Sequence, residues 1–285
     1  FFMENKKTKW DLIISSEKNF FTLKLKELIK YRNLIKLFVK RDFVTFYKQT
    51  ILGPLWFIIQ PLINTIVFTI IFGKIAKIST DTIPPFIFYM SGTIAWGYFS
   101  TCLTATSNTF VQNAIIFGKV YFPRLCVPVA NVIFSLVQFF LQFGIFLCFM
   151  FYFMFNGLQI NFNYSLIFLP FLILQMALLG LGFGVLISSL TTKYRDLTFV
   201  VTFGVQVWMF VTPVVYPISI VPEKYQILVA LNPMTSVVEL FRYMTLGVSS
   251  IQPIHIVISI FITLVVFVLG VMSFNKTEKN FMDTV

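Results

Sequence analysis

Residues 127–154 read VPVANVIFSLVQFFLQFGIFLCFMFYFM, a run without a single Asp, Glu, Lys, Arg or His. A helix crosses a hydrocarbon core of about 30 Å with roughly 20 predominantly apolar residues, so this stretch alone can span a bilayer. Five others accompany it, at 54–75, 85–107, 165–188, 198–214 and 254–274. Lipid offers no water to an unpaired backbone group, and uninterrupted helices satisfy those groups internally. The expected fold is therefore an all-α membrane protein with six transmembrane helices. At 58% hydrophobic and 12% charged, the 285 residues suit one membrane domain (51–285) preceded by a polar arm (1–50).

The charges that are missing narrow the function. None of the six stretches has Asp or Glu near its middle. Secondary transporters driven by protons or sodium place ionisable groups at the midplane and pair two sets of broken helices; neither is evident. A membrane-embedded glycosyl- or phosphotransferase would want acidic residues at the membrane edge for metal or base chemistry, and Asp42 and Asp196 are too few and too dispersed. No catalytic residue and no metal ligand set is assigned. A nucleotide site is not expected either. Gly73-Lys74 is followed by Ile75 and Gly118-Lys119 by Val120, where a phosphate-cradling loop needs Ser or Thr after an earlier glycine. Uphill movement would then draw its energy from a partner.

The net charge of +11 does not point to nucleic acid, because twelve of the 22 Lys and Arg precede Thr50. Basic charge beside a first span marks cytoplasmic anionic lipid and the positive-inside rule. With a cytoplasmic N-terminus, only Lys74, Lys77, Lys224 and Arg242 fall outside, and both termini are cytoplasmic. No early apolar core suggests a cleavable signal peptide. Cys102, Cys126 and Cys148 have neither metal-site nor disulfide spacing and read as packing residues.

Within the arm, Leu28 to Arg41 is expected to form an amphipathic helix lying in the membrane surface. Leu28, Tyr31, Leu34, Ile35, Phe38 and Val39 share one face, and Lys30, Arg32, Asn33, Lys36, Lys40 and Arg41 the other. Gly53-Pro54 marks the turn into the first span, and Pro61 should kink it. Residues 213–253, with prolines at 213, 217, 222, 233 and 253 and Asn232 as an N-cap, are expected to form a re-entrant pair of short outer helices.

The link NAIIFGKVYFPRLCVP, residues 113–128, is apolar and aromatic where a solvated connection would be polar. Phe117, Tyr121 and Phe122 beside Lys119 and Arg124 suit a small helix seated in a groove of a cytoplasmic partner, or else an interfacial aromatic belt.

Taken together, ILGPLWFIIQP (51–61), GKVYFPRLCVP (118–128), Tyr194-Arg195-Asp196, TPVVYP (212–217) and LNPMTSVVELFR (231–242) resemble the ABC-2 type permeases. The group most resembled is the membrane subunits of bacterial polysaccharide ABC exporters, which handle O-antigen and, in relatives, teichoic acid. That resemblance implies a homodimer in the cytoplasmic (inner) membrane, each copy bound to one of two cytoplasmic ATPase subunits that hold ATP and Mg. It also implies a path for a lipid-linked polysaccharide between the copies. Lys119, Tyr121, Phe122, Pro123 and Arg124 would lie in a coupling helix entering the ATPase. The arm with Arg41, Asp42 and Lys48 would be a gate helix packed against it. Arg195 and Asp196 would make a second ATPase contact, although Asp196 could equally cap the fifth span. An ABC-2 permease for drugs, small lipids or teichoic acid is the nearest alternative.

A glycan path can be built from aromatic rings, whose dispersion contacts with sugar C–H faces need no fixed hydrogen-bond pattern. Trp56 on the first span and Trp96, Tyr98 and Phe99 on the second are the candidates; otherwise they pack in the core or face lipid. Gly180 and Gly184 form a small-residue face for close helix approach. Tyr216, Glu239 and Arg242 belong to the re-entrant segment. Glu239 and Arg242 would form an ion pair, or Arg242 would meet a phosphate-bearing headgroup.

Purified alone, the chain should hydrolyse no ATP above a detergent blank in a phosphate-release assay.

Overall fold

Gly53 adopts φ +53°, a left-handed conformation open to a residue without Cβ, and with Pro54 it turns the chain from the arm into the first long helix. The structure is a computed structural model that describes residues 25–48, 50–80, 82–158, 164–192, 194, 196–248 and 252–280. Among the described residues every regular element is helical. The arm contributes α1 (Leu25–Lys30) and α2 (Arg32–Lys48), separated by a turn at Tyr31. Then come α3 (Trp56–Phe68), α4 (Pro85–Ser107), α5 (Thr109–Lys119), α6 (Cys126–Phe155), α7 (Leu169–Thr191) and α8 (Leu197–Val211). Two short helices, α9 (Glu223–Leu231) and α10 (Pro233–Leu246), precede α11 (Pro253–Asn280).

Among the described residues, four stretches are long and apolar enough to cross a membrane: Gly53–Ile75, Cys126–Phe155, Tyr164–Thr191 and Pro253–Glu278. The other two expected spans differ in kind. Helix α4 has 23 residues, long enough, but Ser, Thr and Gly dilute its apolar character. Helix α8 is apolar but has only 15 residues, about 22 Å of rise. Helix α3 runs unbroken through Pro61; the departure from α geometry comes later, as a π-helical turn over Thr69–Ile75.

The polar character of α4 follows from its place at the centre of the bundle, packed against α3, α6, α7 and α10. Its hydroxyls cost little there, because they donate back to their own helix. Ser91 donates to Phe88 O at 2.7 Å, Thr93 to Met90 O at 3.0 Å, Ser100 to Gly97 O at 3.1 Å and Thr104 to Ser100 O at 2.8 Å.

Helix α7 packs on α4 with one face and on α11 with the other, and glycines make both contacts possible. A Cβ added at Gly180 would lie 2.7 Å from Cys102 Cβ, and one at Gly184 would collide with the Thr106 hydroxyl. On the opposite face, a Cβ at Gly182 would meet Phe267 Cα at 2.8 Å, and one at Gly270 would strike the Gly182 carbonyl. Small residues let helix backbones approach in lipid, where dispersion must replace the hydrophobic effect as the driving force.

At one end of the bundle α2, α5, the start of α6 and the end of α11 share an aromatic cluster. Phe110 stacks on Phe274 at 4.5 Å, and Phe122 sits 5.6 Å from Phe38 and 5.7 Å from Phe117. The expected amphipathic arm is therefore present, broken at Tyr31 and extended to Lys48, but it does not simply float in the membrane surface. Ile35 and Phe38 are buried against Phe122 and its neighbours, while Lys36, Lys40 and Arg41 remain exposed. An apolar stripe predicts burial without saying whether lipid or protein covers it, and here protein covers much of it.

At the other end, the proline-rich segment folds as the expected two helices. Pro222 precedes α9, Asn232 caps α10 by accepting from Met234 N at 3.1 Å, and Gly247 ends it at φ +76°. Cys102 and Cys126 are buried free thiols, and Cys148 is exposed.

Gly184→Val should overpack the α4–α7 contact and destabilise the protein by about 1–3 kcal/mol. Gly204→Ala, where nothing lies within 4 Å, should leave the thermal midpoint in detergent unchanged or raised.

Candidate functional site

Polar residues in an apolar bundle are costly unless they meet each other or line a wet space. On α3, Gln60 and Asn64 are four residues apart; on α6, Gln138 and Gln142; on α8, Thr202 and Gln206. That spacing places each pair on one helix face. The fold turns all three faces toward Thr93, Gly97, Ser100, Thr101 and Thr104 of α4, enclosing a cleft of about 800 Å³. Trp56, Trp96 and Phe210 add rings to the wall, and no described lining residue is charged. Gly97 faces Gln142 across the cleft wall, where a Cβ would lie at ordinary contact distance, 3.7 Å, from Oε1.

The two kinds of polar group offer different chemistry. The hydroxyl hydrogens of Thr93, Ser100 and Thr104 are held by their own helix, leaving lone pairs for a guest. Each carboxamide brings two N–H donors and an acceptor oxygen. Among the described residues, those of Gln60, Asn64, Gln138, Gln142 and Gln206 make no hydrogen bond within the chain. The cleft can thus bind a neutral, hydroxyl-rich guest from several sides.

Sequence reasoning named two of the rings and missed the amides. Trp56 and Trp96 line the cleft, but Tyr98 and Phe99 do not: both are buried in the core. Tyr98 packs 5.2 Å from Phe139, and Phe99 lies 5.3 Å from Trp96 and 5.2 Å from Trp208. The signal that finds the amides is the repeated i, i+4 polar pair within three otherwise apolar stretches.

The link between α4 and α6 also sorts differently from expectation. Phe122 is buried in the aromatic cluster of its own chain. Arg124 donates to Glu278 O at 3.0 Å, with its guanidinium 5.6 Å from the Phe117 ring, and Pro123 is half-buried. The outward tip consists of Ile115, Lys119, Val120 and Tyr121. Beside it, Arg41 pairs with Asp42 at 2.8 Å and stands 4.9 Å over Phe38, while Lys48 is exposed at the end of α2. Asp196 sits at the N-cap position of α8 without a side-chain cap bond, and Arg195 lies outside the described residues.

Arg242 is enclosed by protein and does not reach a headgroup. Its Nη1 donates to Glu239 Oε1 at 3.0 Å and to Pro213 O at 2.6 Å, and Nη2 donates to Val214 O at 2.7 Å. The guanidinium stands 3.8 Å over the Phe88 ring, where Gly92 leaves room for it. Tyr216 donates to Val211 O at 3.1 Å across the same turn.

The ABC-2 type transporter family matches residues 33–246, which include the cleft, the link and the helix pair. The chain belongs to that family. It is similar to the O-antigen export system permease protein RfbA of Klebsiella pneumoniae, 26% identical over 266 residues that cover 92% of this chain and 99% of the relative. A permease of the same name from Myxococcus xanthus is 26% identical over 223 residues, covering 76% of this chain and 82% of that one. As an ABC-2 type transporter the chain is a multi-pass membrane transport subunit that pairs with an ATPase subunit.

Arg242→Met should leave Glu239 charged and buried at a cost of about 3–5 kcal/mol. Adding Glu239→Gln should recover a large part of that loss, and thermal unfolding of both variants in detergent tests it.

Proposed function

We propose that this chain is the permease subunit of an ATP-driven exporter that carries a lipid-linked polysaccharide of the O-antigen type across the cytoplasmic membrane. The observation that carries the reading is the cleft, polar and aromatic yet uncharged, in a chain whose relatives over almost their whole length are named O-antigen export permeases. Sugars present hydroxyls and C–H faces, which match carboxamides, hydroxyls and rings. A drug or small-lipid permease would have less use for five uncommitted amides.

Two copies line the path, each spanning six times: through Gly53–Ile75, α4, α6, Tyr164–Thr191, α8 and α11. Both termini are cytoplasmic. In this arrangement the arm, the α4–α6 link and the end of α11 share the cytoplasmic side, in keeping with their common aromatic cluster. The α9–α10 pair dips in from the opposite side, its backbone shielded by Arg242 and the Asn232 cap. Two ATPase subunits, holding ATP and Mg, dock on the tip formed by Ile115, Lys119, Val120 and Tyr121, with the basic arm and the turn at Asp196 alongside. The basic face of α2 meets anionic lipid.

Two variants separate docking from transport. Tyr121→Asp puts a charge in the docking surface and should abolish copurification of the ATPase while the permease still inserts. Gln138→Leu with Gln142→Leu removes two cleft amides at similar volume; it should retain the ATPase and lower surface polysaccharide at least tenfold. Wild-type export from the second variant, at matched expression, would sink the cleft as the path.

A further inference from the structure

The cleft is hydrogen-bonding along its length and carries no charge anywhere in its described lining. From Thr93 to Thr104 its α4 wall rises about 16 Å, so several sugar rings would be inside at once. We infer that the cleft selects a glycan whose repeat unit is electrically neutral. This rests on the exporter reading above and narrows its substrate class.

The argument is one of replacement. A hydroxyl leaving water finds equivalent partners in Gln60, Asn64, Gln138, Gln142 and Gln206, which donate and accept equally well. A carboxylate or phosphate leaving water finds no Lys, Arg or His on the described lining, and an unpaired ion in weakly polar surroundings is strongly disfavoured. Among the described residues, Arg242, Lys74 and Lys77 are used or placed elsewhere. Arg242 is held by Glu239 and by the carbonyls of Pro213 and Val214. Lys74 lies in the π-helical turn and Lys77 just beyond it, and neither lines the cleft. A charge on the lipid anchor enters once per chain, whereas a charge in the repeat unit must be accommodated at every step. Carboxamides are also a choice against charge, since a path for a polyanion could use Lys or Arg at these same face positions.

Deleting the gene in its host should trap the lipid-linked polymer inside, where hydrolysis and mass analysis give the repeat unit. A repeat without carboxylate, phosphate or free amine is expected. A charged group in every repeat would overturn this inference while leaving the exporter reading intact. Failure of any polymer to accumulate would overturn both. In vesicles holding the permease with its ATPase, the trapped polymer can be compared with the same polymer oxidised at C6 to carboxylates. Transport of the oxidised form should fall at least tenfold; equal transport of the two would overturn the inference.

Discussion

Helix α7 is pressed between two neighbours at once, and much of the bundle depends on that contact. In water, burying Leu and Phe would hold three helices together; in lipid the surrounding tails are just as apolar, so association must come from close packing. Gly180 and Gly184 bring α4 to within backbone distance on one side, and Gly182 with Gly270 brings α11 equally near on the other. With α4 fixed at the centre, α3, α6 and α10 pack on its remaining faces, and α8 is left to stand off from it. The cleft is the space created by that difference: glycines close one side of α4, and amides keep the other side open.

The polar groups divide in the same way. Many of those facing protein are satisfied within it, by back-bonding along α4 or by the Arg242 and Asn232 networks, while Tyr89 Oη and Thr235 Oγ1 are buried without a hydrogen bond. Those facing the cleft keep hydrogen-bonding capacity for a guest. Arg242 illustrates how a full charge can be kept in this environment: one carboxylate, two carbonyls and the face of Phe88 surround it.

Much of this was readable from residue order. Gly53-Pro54 declared the turn into the first span, Asn232-Pro233 the start of α10, and the alternate spacing of Gly180 and Gly184 a helix contact. Features that depend on which surface meets which were not readable. The apolar stripe through Ile35 and Phe38 is the same whether lipid or Phe122 covers it, and Phe122 looks equally suited to a partner or to its own core. With 37 Phe in the chain, aromatic composition could not separate Trp56 and Trp96, which reach the cleft, from Tyr98 and Phe99, which do not. Paired amides, which went unread, are rarer in apolar helices and carry the clearer signal, because burying them has to be compensated and burying a ring does not.

Helix α8 contributes one wall of the cleft with only 15 residues. In the six-span arrangement proposed above, it supplies about 22 Å of hydrophobic length against a hydrocarbon core of about 30 Å. The bilayer must therefore thin, or its headgroups sink, along this helix more than along the 30 residues of α6. Hydrophobic mismatch is thus concentrated at the flank of the cleft. In that arrangement a polar headgroup approaching from the side would meet its shallowest oily barrier beside α8.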